Sequence, residues 1–261
     1  MTGSMNTQQQ KSFKILLIGD DCLDRYNYGT VDRISPEAPV PVFKFSHAER
    51  SPGMAGNVKN NLEALGCTVD SYLGGASQKT RFIDMKSGQH LLRDDRDTDV
   101  PPLTLDKIDL TKLSSADAFV ISDYNKGFVS YEIIRLIITA AGGKPVFIDT
   151  KKTRLADIST HLVDSNVYIK INETEYKNTK TLADNLIVTL GAQGARFKNV
   201  VYPAAKVEVA DACGAGDTFL AALVYQYLNT KSIEDAIMFA IRASAVTVQH
   251  IGCYAPKLED I

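Results

Sequence analysis

The sequence lacks the features that mark several large classes of protein. Tryptophan is absent and cysteine occurs only four times, and no apolar run approaches the roughly 20 residues that a membrane-spanning helix needs. The 29 Lys and Arg residues nearly balance the 31 Asp and Glu residues, which gives a net charge of −2. A basic surface of the kind that attracts nucleic acid is therefore not expected. We expect a protein that has neither a nucleic-acid partner nor a membrane partner.

The four cysteines, Cys22, Cys67, Cys213 and Cys253, lie far apart in the sequence. They form no C-x-x-C pair and no cluster with histidine, which argues against a structural zinc site and against a disulfide framework. We expect them to be small buried hydrophobic residues in a reducing compartment. The expected localisation is therefore cytoplasmic.

The N-terminal segment 1–12 is polar and rich in glutamine, and it has no apolar core of a signal peptide. Because a second methionine stands at position 5, we interpret this segment as a disordered tail or a remnant of an expression tag. Overall, 44% of the residues are hydrophobic and 23% are charged, as in globular proteins. The length of residues 13–261 suits one large domain.

Short apolar runs and amphipathic segments alternate along the chain and predict an α/β fold. Such alternation is typical of a parallel sheet with crossover helices. The predicted elements are strands at 14–19, 69–73, 118–122, 145–149, 167–171 and 186–190, short strands within 200–209, and helices at 57–65, 106–113, 131–141, 215–228 and 233–250.

Two further segments predict a small peripheral β-flap. Residues 25–46 are interrupted by Pro36, Pro39 and Pro41, and proline is tolerated in edge strands but not in central ones. Residues 81–85 and 89–94 flank a Lys-Ser-Gly turn typical of a hairpin. We expect residues 25–46 and 80–94 to form this flap together.

The glycine-rich segment Asp211-Ala-Cys-Gly-Ala-Gly-Asp217 is the most informative motif. It opens a helix with an apolar face, and small residues there let backbone N–H groups and the helix dipole bind an anion. Asp217, in the first helical turn, is placed to accept a proton from a hydroxyl that attacks a phosphate. Taken alone, the pattern fits an ordinary helix start with a capping aspartate equally well.

Three other motifs follow or open predicted elements. Residues 189–194 and 172–175 follow strands, where loops bind ligands in open α/β sheets. The acids of 172–175 suit magnesium, although they also suit a helix cap, and 189–194 also suits a plain glycine turn. The carboxylates of 20–24 and the segment 52–57 suit sugar hydroxyls, or else a solvated turn and an asparagine cap.

Together these motifs resemble those of the PfkB family of ribokinase-type sugar kinases, over almost all of the chain after the tail. Residues 211–224 are similar to the family's second signature, with Ala212 where threonine is usual. Residues 19–26, 33–42 and 122–127 are similar to the kinase half of bacterial heptose-synthesis enzymes. The resemblance implies a ribokinase-like three-layer sandwich at 13–261, with a mostly parallel central sheet and a small β-lid.

The same resemblance implies an ATP-dependent phosphotransferase. Its expected substrate is D-glycero-β-D-manno-heptose 7-phosphate, phosphorylated at C1 to the 1,7-bisphosphate that leads to ADP-heptose and lipopolysaccharide. ATP and Mg²⁺ are the expected cofactors, and the need for a monovalent cation is left open. The lid is expected to form a clasp between the two copies of a homodimer. A kinase for another sugar phosphate and a non-catalytic binding relative remain alternatives.

Site residues follow from the resemblance, position by position. Asp217 corresponds to the catalytic base, and the amides of Gly214, Ala215 and Gly216 to the anion hole. The sugar-binding positions are Asp20, Asp24, Gly53 and Asn57. The nucleotide-binding positions are Asn172, Glu173, Thr174, Glu175, Thr189, Gly191 and Gly194, with Glu175 holding Mg²⁺ directly or through water.

The chain also departs from the family pattern. Met54 replaces a glycine of the first signature, and we expect its side chain to crowd the sugar pocket. Segments between Gly75 and Gln78 and between Lys177 and Leu186 are each shorter by about one helix of roughly 11 residues. These departures keep both alternatives open.

Overall fold

The computed structural model describes residues 12–159, 166–179 and 184–261; the expected tail, apart from Ser12, lies outside them. The strands are β1 (Lys14–Ile34), β2 (Pro41–Met54), β3 (Thr68–Asp84), β4 (His90–Arg96), β5 (Ala118–Asp123), β6 (Val146–Thr150), β7 (Val167–Asn172), β8 (Leu186–Thr189), β9 (Ala195–Phe197) and β10 (Val200–Tyr202). The helices are α1 (Ala55–Ala64), α2 (Leu110–Ser115), α3 (Tyr131–Ala140), α4 (Ala156–Ser159), α5 (Glu173–Asn178), α6 (Ala215–Thr230) and α7 (Ile233–Thr247).

The strands form one sheet in the order β10-β9-β8-β7-β6-β5-β1-β3-β4, and β2 pairs with β1. The central strands from β3 through β1 and β5 to β8 run parallel, whereas β9 and β10 are antiparallel at one edge. A mostly parallel central sheet was predicted, and the sheet confirms it.

Both faces of the sheet are covered, as the near-continuous apolar strands predict. Alternate residues of β1 point to opposite faces: Ile15 and Leu17 belong to one core, and Leu16 and Ile18 to the other. Helices α1, α6 and α7 contribute to the first core, and α2, α3 and α4 to the second. The result is a three-layer sandwich.

The lid continues directly from the core sheet. One edge of β1 changes its partner: it pairs with β5 as far as Gly19 and with β2 from Asp21 onward. Strand β3 stays parallel to β1 from the core into the lid and then pairs with β4. Strand β3 runs through residues 75–78, the first of the two segments that are shorter than in the family pattern. The second shortened segment, at 177–186, lies partly outside the described residues. Four strands in the order β2-β1-β3-β4 therefore form the lid.

Three predicted elements differ in the structure. Strand β1 was expected to end at Gly19 but runs to Ile34, because new partners replace β5 along its edge. The helix predicted at 106–113 is a 3₁₀ turn followed by α2, because Asp109 caps α2 by accepting a hydrogen bond from Thr111. Within 200–209 only β10 forms, and it ends before Pro203, which lacks the N–H needed to extend it.

Candidate functional site

The start of α6 is shaped to present backbone amides. Gly214, the N-cap, has φ 78°, and a side-chain carbon there would lie 2.8 Å from the Asn57 Nδ2 atom. Only glycine combines this backbone conformation with such a close approach. The predicted anion hole at Gly214, Ala215 and Gly216 lies at this helix N-terminus, where the first N–H groups have no partner within the helix and attract anions. The Ala215 amide donates a long hydrogen bond, of 3.4 Å, to the Ala212 carbonyl oxygen outside the helix.

The Asp217 side chain lies in the first turn of α6 and is 5% exposed. Its Oδ2 accepts a hydrogen bond from Asn57 Nδ2 at 2.8 Å, and its Oδ1 accepts one from the Tyr124 hydroxyl at 2.8 Å. Burial raises the pKa of Asp217 to about 6, although both hydrogen bonds act to lower it. A carboxyl group with such a pKa takes up and releases a proton near neutral pH.

A chain of buried polar side chains fixes the orientation of the Asn57 amide. Asn61 Nδ2 donates to Asn57 Oδ1 at 3.2 Å, and Thr218 donates to Asn61 Oδ1 at 2.8 Å. Thr247 in turn donates to the Thr218 hydroxyl at 3.0 Å. Because the Asn57 oxygen is already engaged, its NH₂ group faces Asp217.

A polar cavity of about 420 Å³ lies in front of this helix start. Lys170 lines it and contacts Asp149 Oδ2 at 2.6 Å, and a side-chain carbon on Gly216 would lie 3.1 Å from the Lys170 ammonium. The cavity brings together Gly216 of the helix start and every predicted nucleotide residue except Gly194. Its lining includes Asp149, Lys151, Lys170, Asn172, Glu173, Thr174, Glu175, Thr189, Gly191 and Gly216.

A second cavity of about 450 Å³ shares Thr189, Gly191 and Gly216 with the first. Its other lining residues are mostly apolar and include Val207, Val209, Phe219, Ile241 and Val248. A polar cavity that adjoins an apolar one suits a ligand with a charged end and a flat apolar end.

Both glycines predicted for the nucleotide turn have positive φ, but for different reasons. Gly194, with φ 96°, lies against the backbone, and a side-chain carbon there would be 2.0 Å from the Tyr202 carbonyl oxygen. Gly191, with φ 58°, has open space on that side and lines both cavities. Gly194 is therefore needed for packing, although it too lines the apolar cavity, and Gly191 leaves open space beside both cavities.

Residues 172–175 were predicted to be either a magnesium site or a helix cap, and the two interpretations are compatible. Glu175 N donates to Asn172 Oδ1 and Asn172 N donates to Glu175 Oε2, each at 2.8 Å, which is a capping box. Glu175 nevertheless lines the polar cavity. Burial raises the pKa of its carboxyl group, and the neighbouring Asp149 charge adds to that rise.

The carboxylates of Asp149 and Glu175 are the candidate ligands for magnesium in the polar cavity. Within 12–159, 166–179 and 184–261, no group of three or more His, Cys, Asp or Glu residues is arranged to hold a metal ion. Nucleotide-bound Mg²⁺ takes one or two protein carboxylates together with phosphate oxygens. Because Asp149 and Glu175 line one cavity, the residues present fit a magnesium ion that arrives with a nucleotide.

The predicted sugar-binding residues divide into two groups. Asp20 is 0% exposed and accepts hydrogen bonds from the backbone amides of residues 124, 126 and 128, so it fixes the loop that carries Tyr124. Asp24 is paired with Arg81 of β3, and a side-chain carbon on Gly53 would lie 2.3 Å from Asp24 Oδ2. Asp24 and Gly53 thus lie together, while Asp20 is enclosed behind the loop.

Met54, beside them, is 3% exposed and has φ 49° and ψ −128°. L-residues other than glycine rarely adopt such a conformation. The methionine that replaces a glycine of the family pattern is therefore held in a backbone conformation that suits glycine.

Sequence reasoning missed several side chains of the site. Tyr124 belongs to the segment 122–127 that carried the resemblance, yet no role was assigned to it. Lys170 and Asp149 were taken only as strand residues. The cysteine prediction was wrong in part: Cys22 and Cys67 are buried, but Cys213 and Cys253 are half-buried, and their sulfur atoms lie 3.2 Å apart.

We predict that Asp217→Asn stabilises the fold at pH 8. The folded-state pKa of about 6 lies above the ordinary value of 3.8, so ionised Asp217 opposes folding by up to ~3 kcal/mol above pH 6, and this cost fades as the pH falls towards 3.8. Thermal melts of parent and variant should differ by several degrees at pH 8.

The exposed Asp99→Asn serves as the matched control and should give no such gain. The advantage of Asp217→Asn should shrink steadily when the melts are repeated from pH 8 down to pH 4. A variant that is no more stable than the parent at pH 8 would show that the buried carboxyl group is not destabilised.

The chain is similar in sequence to known carbohydrate kinases. The profile of the pfkB family of carbohydrate kinases matches residues 75–261. The chain is 32% identical over 299 residues to "Bifunctional protein HldE" of a Nitratiruptor species, covering 95% of this chain and 64% of the relative. It is 32% identical over 303 residues to the protein of that name from Helicobacter pylori, covering 95% and 65%. The chain thus spans less than two thirds of these relatives' length.

Solved structures share the fold. Ribokinase from Thermotoga maritima superimposes with a TM-score of 0.68 at 18% identity, over 95% of this chain and 97% of that one. Phosphofructokinase-2 from Escherichia coli, in complex with potassium, gives a TM-score of 0.68 at 17% identity, over 95% and 96%. The three-layer fold is therefore ribokinase-like, as predicted.

Proposed function

Because the chain belongs to the pfkB family of carbohydrate kinases, phosphotransferases that act on a sugar hydroxyl, we propose that it transfers the terminal phosphoryl group of ATP to C1 of D-glycero-β-D-manno-heptose 7-phosphate. Two kinds of similarity support this substrate. The first is the set of segments 19–26, 33–42 and 122–127 that match heptose-synthesis kinases. The second is the 32% identity to proteins named HldE.

The observation that carries the proposal is the environment of Asp217. Its carboxyl group lies beside the helix-start amides, is held by Asn57 and Tyr124, and has its pKa raised to about 6 by burial. A general base works best when its pKa lies near the operating pH. Amides that bind an anion, next to a carboxylate that accepts a proton, are the two requirements of phosphoryl transfer to a hydroxyl.

In the proposed mechanism the phosphates of ATP lie in the polar cavity, near Lys151, Lys170 and the amides of Gly214 to Gly216. The adjoining apolar cavity takes the adenine. Glu175 and Asp149 would hold a magnesium ion that arrives with the nucleotide, and the ion would supply positive charge to the phosphate oxygens. Positioning and charge stabilisation are the main contributions a protein makes to this chemistry.

The reacting hydroxyl donates its proton to Asp217 as its oxygen forms a bond to the terminal phosphorus. The bond from that phosphorus to the bridging oxygen breaks, and ADP leaves with the electron pair. Asn57 and Tyr124 hold the carboxylate in place throughout. The lid, which carries Asp24 and Gly53, covers the bound sugar and excludes water that would otherwise take the phosphoryl group.

A kinase for a different sugar phosphate is the second candidate, and Met54 favours it. This residue lies in the predicted sugar loop with a buried side chain and φ 49°, where the family pattern has glycine. A larger residue at that position reduces the room for a substrate. Relative kcat/KM values on a panel of sugar phosphates distinguish the two candidates.

We predict sugar-dependent ADP release from ATP, Mg²⁺ and D-glycero-β-D-manno-heptose 7-phosphate. Asp217→Asn should lower kcat by on the order of 10²–10⁴, because the positioned base is lost. Heptose 7-phosphate binding, measured by calorimetry, should change little, and Asp99→Asn should match the parent in both assays.

Three outcomes would contradict parts of this account. If Asp217→Asn turns over like the parent, Asp217 is not the base. If another sugar phosphate gives the higher kcat/KM, the second candidate replaces the first. If the folded protein binds ATP but releases no ADP with any sugar phosphate, it is a non-catalytic relative.

We also propose that the lid pairs with the lid of a second copy. Its strands expose the large apolar side chains of Ile34 (61%), Phe45 (58%) and Leu92 (60%), and the turns that connect them expose Val40 (51%) and Met85 (52%). So many exposed apolar residues on one small sheet are typical of an interface between proteins. Because these side chains lie on the lid, the lid of a second copy presents the same apolar surface, and we propose it as the partner.

The test is the mass in solution, measured by sedimentation equilibrium. The parent should be a dimer, and the double variant Phe45→Glu, Leu92→Glu should be a monomer. Leu110→Glu, at a residue that is 67% exposed but outside the lid, should remain dimeric. A monomeric parent would overturn the proposal.

A further inference from the structure

Cys213 and Cys253 meet beside the anion hole, although 40 positions separate them in the sequence. Their sulfur atoms are 3.2 Å apart, and both residues are half-buried, whereas Cys22 and Cys67 are buried. Cys213 directly precedes Gly214. A side-chain carbon on Gly214 would lie 3.4 Å from the Cys253 sulfur, so the pair lies against the backbone that forms the anion hole.

The two chain segments are held together by more than the cysteines. The Asp211 carboxylate accepts a hydrogen bond from the Cys213 amide at 3.0 Å and another from the Gly252 amide at 3.1 Å. This bridge fixes the backbone on both sides of the sulfur pair. The sulfur atoms therefore stay adjacent because the surrounding backbone is anchored.

Groups from the lid also contact the pair. The Tyr26 hydroxyl lies 3.7 Å from the Cys213 sulfur and 3.9 Å from the Cys253 sulfur. An Arg81 guanidinium nitrogen lies 3.7 Å from the Cys213 sulfur. Because Arg81 also pairs with Asp24, the sulfur pair adjoins both the anion hole and the predicted sugar site.

The two thiols differ in reactivity. The hydrogen bond from Cys253 lowers the pKa of Cys213 to about 7, with help from Tyr26 and the Arg81 charge, and the pKa of Cys253 is raised in turn. At neutral pH, Cys213 is thus partly a thiolate, the nucleophilic form, and Cys253 is a neighbouring thiol. By contrast, burial raises the pKa of both Cys22 and Cys67 to about 12.

We propose that Cys213 and Cys253 form a site of reversible oxidation, at which a low-molecular-weight disulfide converts the two thiols into an intramolecular disulfide. The Cys213 thiolate attacks one sulfur of the reagent, whose S–S bond breaks and releases one thiolate. The Cys253 thiol loses its proton to solvent and attacks the Cys213 sulfur of the mixed disulfide, expelling the second thiolate. The cysteines lose two electrons and the reagent gains them.

Oxidation should slow phosphoryl transfer. The sulfur atoms must close from 3.2 Å to about 2.05 Å to bond, which pulls on the residue next to Gly214 and disturbs the contacts with Tyr26 and Arg81. Displacement of catalytic groups by about 1 Å costs up to ~10²-fold in rate. We expect kcat to fall by about tenfold to a hundredfold, and dithiothreitol to restore it.

The chemical half of the test needs no substrate. The full chain is incubated folded with oxidised glutathione, its remaining thiols are alkylated, and the digest is examined by mass spectrometry. We expect a peptide pair that joins Cys213 to Cys253. Cys253→Ser should instead retain glutathione on Cys213, while the distant buried variant Cys67→Ala should form the link as the parent does. Absence of the link in the parent would overturn the proposal.

The expected effect of oxidation on activity rests on the proposed function. The same samples distinguish a failure of the oxidation proposal from a failure of the proposed function. Sugar-dependent ADP release is compared before oxidation, after it and after reduction. A link that leaves kcat unchanged would overturn the effect on transfer. If the reduced protein releases no ADP with any sugar phosphate, the proposed function fails, and the peptide link still confirms or overturns the oxidation site.

Discussion

The buried carboxyl group of Asp217 imposes the constraint on which the rest of the structure depends. A carboxylate loses much of its solvation when it is enclosed, and without hydrogen-bond donors it would simply stay protonated. Here the donors come from two distant parts of the chain, Asn57 of α1 and Tyr124 after β5. Their hydrogen bonds partly offset burial, which leaves the pKa at about 6. The carboxyl group is therefore ready to exchange a proton near neutral pH.

The fold brings these groups together through close backbone contacts. Gly19 lies where β1 meets both α1 and β5, and a side-chain carbon there would be 2.4 Å from that of Ala55 and 2.5 Å from the Ser122 carbonyl oxygen. This contact sets α1, and with it Asn57, against the sheet. Asp20, the next residue, holds the loop that carries Tyr124. One short stretch of β1 thus positions both partners of Asp217.

Local patterns in the sequence predicted much of this arrangement. The apolar run at 14–19 predicted the first strand, and the glycine-rich segment at 211–217 predicted a helix start with an acid in its first turn. Both depend on residues close together in the chain, where spacing and residue type are sufficient. The alternation of such segments predicted the mostly parallel sheet, although not the order of its strands.

Features that depend on distant residues could not be predicted in the same way. Tyr124 and Asp217 are 93 positions apart, and nothing in either segment indicates that they touch. The extension of β1 beyond Gly19 depends on β2, which replaces β5 at its edge. The contact between Cys213, before α6, and Cys253, after α7, likewise joins residues 40 positions apart. Tertiary packing decides all three.

Burial moves the pKa of the Asp217 carboxyl group into the range of a general base, and titration of this group in the folded protein measures the shift. Aspartate carboxyl carbons labelled with ¹³C are followed by NMR from pH 4 to pH 8, and the resonance absent from Asp217→Asn identifies the group. We expect a midpoint at about 6. A midpoint at the ordinary value of 3.8 would contradict it.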